Sequence, residues 1–170
     1  HYYVVLMRGI ETMLADYDIE LIQFTLSSSS SFTKLANYLN NYRIDGIICI
    51  EFFEPDILPT LTDLGYPVVF LDFPLLSQDL RGNYDIILPE SADAVKYLCM
   101  DLIRNEGCKT FGFVGDYRHC RSFYERFLGM REAMFLCGLE ADLRYSILNK
   151  DTYPYGNAKE LRDALQQLPA

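Results

Sequence analysis

Three short apolar runs, each closed by an acidic residue, constrain this chain more than any other feature. Ile47-Ile48-Cys49-Ile50 ends at Glu51, Pro67-Val68-Val69-Phe70-Leu71 ends at Asp72, and Phe111-Gly112-Phe113-Val114-Gly115 ends at Asp116. Continuous apolar runs of this length suit strands buried on both faces. Stretches with helical spacing separate them. Repeated strand–helix units of this kind fold as a parallel sheet with helices on its faces, so the expected class is α/β. In open α/β sheets the strands deliver their carboxyl ends to one edge, and ligands bind there. Glu51, Asp72 and the 116–122 loop all fall at that edge.

The remaining elements follow from periodicity. Tyr3, Leu6, Met7, Ile10, Met13 and Leu14 keep helical spacing, and Ile19–Phe24 reads as a strand. Ser27 to Ser31 break that strand and supply an N-cap for a helix through Phe32, Leu35, Ala36, Leu39 and Tyr42. A helix from about Pro55 to Leu64 stops at Gly65. Residues 73–85 read as loop, and Tyr84–Leu88 as a short strand or crossover. Ser91 is placed to cap a helix carrying Val95, Leu98, Cys99, Leu102 and Ile103, ended by Gly107. Phe123, Phe127, Met130, Met134 and Cys137 form one helical stripe closed by Gly138. Tyr145–Leu148 suits a strand, and Lys159–Leu168 a last helix. The break in pattern near 73–90 predicts two subdomains, 1–87 and 88–170. The first helix has no strand before it and the last has none after it, so both subdomains read as incomplete and the chain as a fragment.

Composition excludes several classes. Half of the 170 residues are apolar and 14% are aromatic, enough for a packed core and unlike a disordered chain. No apolar run approaches the roughly 18 to 20 residues that span a bilayer, so no membrane partner is expected. A net charge of −9 weighs against a phosphate-gripping face. The five cysteines are odd in number and lack C-x-x-C spacing. Cys49, Cys99 and Cys137 sit inside apolar patterns. Free thiols in a reducing cytoplasm are therefore expected.

Ser122 and Arg126 lie four residues apart and share a helix face. Together they offer a hydroxyl and a planar five-donor fork to a polyhydroxylated or anionic small molecule. Spacing alone favours a surface pair of Arg126 with Glu125 or Glu132, a capping role for Ser122, and a turn-capping role for Asp72 equally with a ligand role. His119-Cys120 lacks an orienting third group, so no catalytic residue is assigned. His1 and His119 do not make a metal-ligand spacing. Gly112-x-x-Gly115 lacks a dinucleotide fingerprint, and the serine run lacks the glycine and lysine of a phosphate cradle. No cofactor or metal is expected.

Five segments in order resemble a known family: Tyr2-Tyr3 through Gly9-Ile10-Glu11, Arg43-Ile44-Asp45-Gly46-Ile47-Ile48, Pro67-Val68-Val69-Phe70-Leu71-Asp72, Phe113-Val114-Gly115-Asp116, and Arg126-Phe127-Leu128-Gly129. The pattern is similar to the effector-binding domain of the lac repressor family, which itself resembles periplasmic sugar-binding proteins. The resemblance implies two Rossmann-like subdomains with parallel sheets flanked by helices, of the type I periplasmic-binding-protein kind, incomplete at both ends. It implies an effector held between them by Tyr2, Tyr3, Glu51, Asp72, Phe73, Ser122 and Arg126. His119 joins this set by its place in the 116–122 loop. The family often has Asp-Asn where this chain has Pro89-Glu90, so no contact is carried over there. The family's N-terminal helix-turn-helix is absent here.

The expected function is that of a non-enzymatic effector-sensing domain of a bacterial transcription regulator. It takes a small metabolite, with a sugar expected, and works as a cytoplasmic homodimer with helix faces 3–14 and 92–103 as candidate dimer surfaces. Operator DNA would be reached only through the absent headpiece. Two other classes share the pattern: a solute-binding protein of a sugar transporter, and a flavodoxin-like α/β enzyme. One consequence is directly testable. Arg118, Arg121, Arg126 and Arg131 are interrupted by Asp116, Glu125 and Glu132, so this chain alone should not shift duplex DNA at low salt. A tight, salt-sensitive complex in a mobility-shift assay would place these arginines on DNA instead of a metabolite.

Overall fold

The computed structural model describes residues 2–26, 29–54, 56–75, 81–148 and 158–169. The chain groups into two compact units, His1–Ile44 and Asp45–Ala170.

The first unit holds two helices, α1 (Tyr2–Ala15) and α2 (Ser29–Asn41). The α1 boundary matches its apolar spacing. Ile19–Phe24 is not a strand: residues 19–26 carry no regular structure. A strand exists only where another strand takes its backbone donors and acceptors, and no described strand pairs with this segment. Side chains anchor it instead. Gln23 Nε2 donates to the Tyr3 hydroxyl at 2.6 Å, and Phe24 meets Tyr38 edge-on at 4.7 Å. The N-cap for α2 is expected from the run Ser27 to Ser31, of which Ser27 and Ser28 lie outside the described residues.

The second unit is α/β. Strands β1 (Ile47–Ile50), β2 (Val68–Leu71) and β3 (Tyr84–Ile87) form a parallel sheet in the order β1-β2-β3. Ile47 pairs with Val68, and Val68 with Tyr84. The segment after residue 83 is thus a strand rather than a crossover. Burial is lopsided. Cys49, Val68 and Phe70 lie on the closed face, while Ile48 and Ile87 on the other are 40% and 56% exposed. A short helix, α3 (Leu58–Thr62), links β1 to β2 and buries Leu58, Leu61 and Thr62. It is shorter than the expected span, whose first residue, Pro55, lies outside the described residues.

Two longer helices follow, α4 (Ala92–Asn105) and α5 (Arg121–Leu136). The α5 stripe buries Phe127, Met130 and Met134, as its spacing requires. Cys99, Phe127, Met130 and Ala133 form a core, with Val95, Met100, Phe111, Phe113, Tyr117 and Leu148 packed on it. Leu98, expected inward, is 59% exposed. Ser91 precedes α4 but does not cap it, because its hydroxyl donates to Pro89 O at 3.3 Å. Glu90 caps instead: its carboxylate accepts from Asp93 N and Ala94 N at 2.5 and 3.3 Å. A carboxylate at a helix N-terminus also meets the positive end of the dipole. At the C-terminal end of α5, Gly138 N donates to Phe135 O at 3.0 Å and Leu139 N to Met134 O at 2.8 Å. This is the paired closure that a left-handed glycine makes possible, and Gly138 has φ of 72°.

The expected strand at 111–115 reduces to a single parallel bridge, Val114 to Ile147. Gly115 N donates to Ile147 O at 2.9 Å and Ile147 N to Phe113 O at 2.8 Å. The partner segment explains the brevity. Leu143–Tyr145 is a 3-10 turn, not extended chain, and its Tyr145 carbonyl oxygen occupies the place of a Cβ on Gly112. The Tyr145–Leu148 strand is correspondingly reduced to Ile147. A last helix, α6 (Ala158–Leu165), ends three residues short of the expected boundary.

The α4–α5 crossing depends on Gly129, where a methyl group would lie 2.2 Å from the Ala92 carbonyl oxygen. Gly129→Ala should therefore cost about 1–3 kcal/mol in urea unfolding. Gly9 has no atom within 4 Å of its would-be Cβ, so Gly9→Ala should hold stability or raise it by up to about 1 kcal/mol. Equal effects at both positions would contradict the close crossing.

Candidate functional site

The three parallel strands place Ile50, Leu71 and Ile87 at one edge of the sheet. The chain leaves β1 and β2 the same way. Glu51 N donates to Leu71 O at 3.3 Å, and Asp72 N to Ile87 O at 3.0 Å, so each extends the ladder by one bond. Each then turns into the left-handed region, with φ of 51° at Glu51 and 64° at Asp72. Residues with a Cβ adopt that region rarely, and such conformations gather at binding sites. Two matched turns on adjacent strands project both carboxylates from the same edge.

Asp72 reaches in two directions. Its Oδ1 accepts from Phe73 N at 2.8 Å, closing its own turn. Across 50 residues of sequence, Oδ2 accepts from the Ser122 hydroxyl at 2.5 Å and Oδ1 from Ser122 N at 3.4 Å. Arg121 N donates to Phe73 O at 2.8 Å, so the two backbones are tied as well. The turn-capping and long-range roles of Asp72 thus coexist. Ser122 is not the N-cap of α5. Cys120 holds that position in extended conformation, with no side-chain cap bond. The Asp72 carboxylate takes over the work of a cap from outside the helix, against the positive end of its dipole.

Cys120 is 1% exposed, with its Sγ 3.3 Å from the Ser122 hydroxyl. Burial pushes its thiol up, the bond to Ser122 pulls it back, and the Asp72 charge adds to the rise. A protonated, buried thiol is a poor nucleophile. The His119 ring lies against other rings, edge-on to Phe53 at 4.7 Å and tilted on Phe123 at 5.6 Å. Cys49 behaves as Cys120 does, its thiol pushed up to about 12 by burial. All five cysteines are free.

Arg126 is exposed, and its guanidinium lies over the Phe123 ring at 5.5 Å. The surface pairs that spacing offered are not made. Glu125 accepts from Arg121 at 2.7 Å, and Glu132 lies 3.6 Å from Lys96. Among the described residues no carboxylate pairs with Arg126, and the exposed Glu51 carboxylate has no hydrogen-bond partner. Asp72, Phe73, His119, Ser122 and Arg126 are therefore brought together around the start of α5, with His119 linked through Phe53 to the loop that begins at Glu51. The Phe73 ring is buried, edge-on to Phe70 at 5.3 Å. Tyr3 stands in the first unit, its hydroxyl held by Gln23. Tyr2 opens α1, and its side chain lies outside what is described.

Sequence reasoning missed Phe53 and misread Phe123. Phe53 follows a strand-ending acid by two residues, a signal that was available. Phe123 sits on the same stripe as Phe127 and reads as core, but it is only half-buried and faces His119 and Arg126. Among the described residues no cluster of His, Cys, Asp or Glu is arranged to hold a metal ion, and no helix is long and apolar enough to cross a membrane.

The Asp72–Ser122 bond should behave as a coupled pair. Asp72→Ala and Ser122→Ala should each destabilise by about 1–3 kcal/mol, since a charged acceptor or its donor is left unpaired. The double mutant should cost less than the sum by about 0.5–3 kcal/mol. Strict additivity in chemical unfolding would mean that the two side chains do not interact.

No protein-family model matches the chain, and no curated protein matches it in sequence. In three dimensions it is similar to the solved structure of a transcriptional regulator CelR–cellobiose complex, with a TM-score of 0.76 and 21% sequence identity over 98% of this chain. The chain spans 50% of that protein's length. At that identity, what the two proteins are shown to have in common is the fold.

Proposed function

We propose that the chain is the effector-sensing part of a transcription regulator resembling the lac repressor family, and that it binds a sugar at the carboxyl edge of its parallel sheet. The carrying observation is the junction of Asp72 with Ser122 beside an arginine that, among the described residues, has no carboxylate partner. Carboxylates accept from sugar hydroxyls, and a guanidinium donates to ring and hydroxyl oxygens. The fold likeness to a regulator solved with cellobiose supports this reading.

In this proposal the two subdomains are 1–87 and 88–170, each Rossmann-like, in a periplasmic-binding-protein-like arrangement. Asp72 and Ser122 then belong to different subdomains. A sugar hydroxyl that competes for the Asp72 carboxylate would exchange one Asp72 partner for another. Such differential contact is what allows a ligand to shift a conformational equilibrium. The resemblance adds Tyr2, Tyr3, Glu51 and Phe73 to the contact set, and the place of His119 in the 116–122 loop adds that residue. It also supplies a cytoplasmic homodimer, with 3–14 and 92–103 as its candidate faces, that reaches operator DNA through a helix-turn-helix headpiece. The five free thiols fit a reducing compartment. No step of the proposal requires catalysis.

Arg126→Ala should weaken saccharide binding by about 1.5–3 kcal/mol, roughly 10- to 150-fold. Calorimetric titration of cellobiose and a set of mono- and disaccharides, on wild type and variant, measures this. Unchanged affinity in a folded variant would remove Arg126 from the site. Failure of every saccharide to bind wild type would remove the sugar-sensing reading.

A further inference from the structure

Resting on the reading of Arg126 as the effector's donor, we propose that Phe123 positions Arg126, and that the ring row Phe53–His119–Phe123 ties this arginine to the loop after β1. The observations are geometric. Phe123 is one helical turn before Arg126, and its ring lies under the guanidinium at 5.5 Å. That distance is within reach of a cation–π contact. The nearby carboxylates are occupied, Glu125 by Arg121 and Glu132 by Lys96. A carboxylate partner would consume the in-plane N–H donors of the fork, whereas a ring under its face leaves them free for a ligand. The row continues from Phe123 to His119 at 5.6 Å and from His119 to Phe53 at 4.7 Å. Phe53 stands two residues beyond Glu51, whose left-handed turn ends β1. The row therefore connects the exit of a strand to the ligand-facing arginine through ring contacts. Phe123 acts through Arg126 and is a positioning residue.

Two readouts on the complete chain test this. In arginine-labelled protein without added ligand, the Arg126 δ-methylene and Nε–H signals should be displaced upfield by the Phe123 ring current. In Phe123→Leu they should return to the values of the other exposed arginines, and Phe123→Tyr should preserve the displacement. Signals that stay put in Phe123→Leu would overturn the proposal. If that variant does not fold, His119→Ala, an exposed change, should still shift the Phe123 ring protons, and their constancy would break the row. The second readout is cellobiose titration by calorimetry. Phe123→Leu should weaken binding by roughly three- to tenfold, Phe123→Tyr should restore it, and adding Phe123→Leu to Arg126→Ala should cost nothing more. An additive loss would show that Phe123 acts independently of Arg126, contrary to the proposal. If wild type takes no cellobiose, or Arg126→Ala leaves its affinity unchanged, the sugar-sensing reading fails for this probe, and the ring-current readout alone decides the positioning.

Discussion

One carboxylate holds the candidate site together. Asp72 sits where β2 ends and accepts from both the hydroxyl and the backbone N–H of Ser122 at the start of α5. It therefore does two jobs in one place. It satisfies a donor that every helix N-terminus leaves open, and it ties down the start of the helix that carries Arg126. The left-handed backbone at Asp72 directs its side chain away from the ladder and toward that helix. Without this reach, the α5 N-terminus would need a cap from its own N-cap residue, and Cys120 provides none.

The parallel sheet makes the arrangement possible. Because β1, β2 and β3 run the same way, their exits lie together, and successive exits present Glu51 and Asp72 from neighbouring positions. An antiparallel pair would send these two carboxylates to opposite ends. On the far side of the site, packing against α4 positions α5 and with it the first turn that carries Ser122. That packing needs Gly129 against the Ala92 carbonyl and the buried Phe127–Met130–Ala133 stripe. The site is thus built on the loop 116–120, closed by Asp116 accepting from Arg118 N and His119 N, between the strand exits and the α4–α5 pair.

The main features of this plan were legible in the sequence where local pattern and global packing agree. The runs at 47–50 and 68–71 are short, apolar and bounded by turn residues, and both became strands. Phe127, Met130 and Met134 of the α5 stripe are buried and Gly138 closes the helix, because periodicity and the need for a left-handed C-terminal residue are local requirements. Reading failed where a partner was required. Ile19–Phe24 has strand composition but no described strand beside it. Phe111–Gly115 has it too, yet its neighbour is a 3-10 turn and only one bridge forms. Strand formation depends on what lies alongside, which periodicity does not contain.

The same division runs through the site. The sequence by itself determined which chemical groups stand near the strand ends: two acids after two apolar runs, and a serine and an arginine on one helix face. Those are consequences of order and spacing along a chain with fixed periodicities. Only the tertiary structure decided their partners. It gave Ser122 to Asp72 rather than to the helix cap, engaged Glu125 and Glu132 elsewhere, and set Phe123 under Arg126 and His119 against Phe53. The reason is that a hydrogen bond or ring contact depends on distances of a few ångströms between residues up to 50 or more positions apart. Such distances follow from how the sheet and helices pack, and spacing along the chain does not encode them.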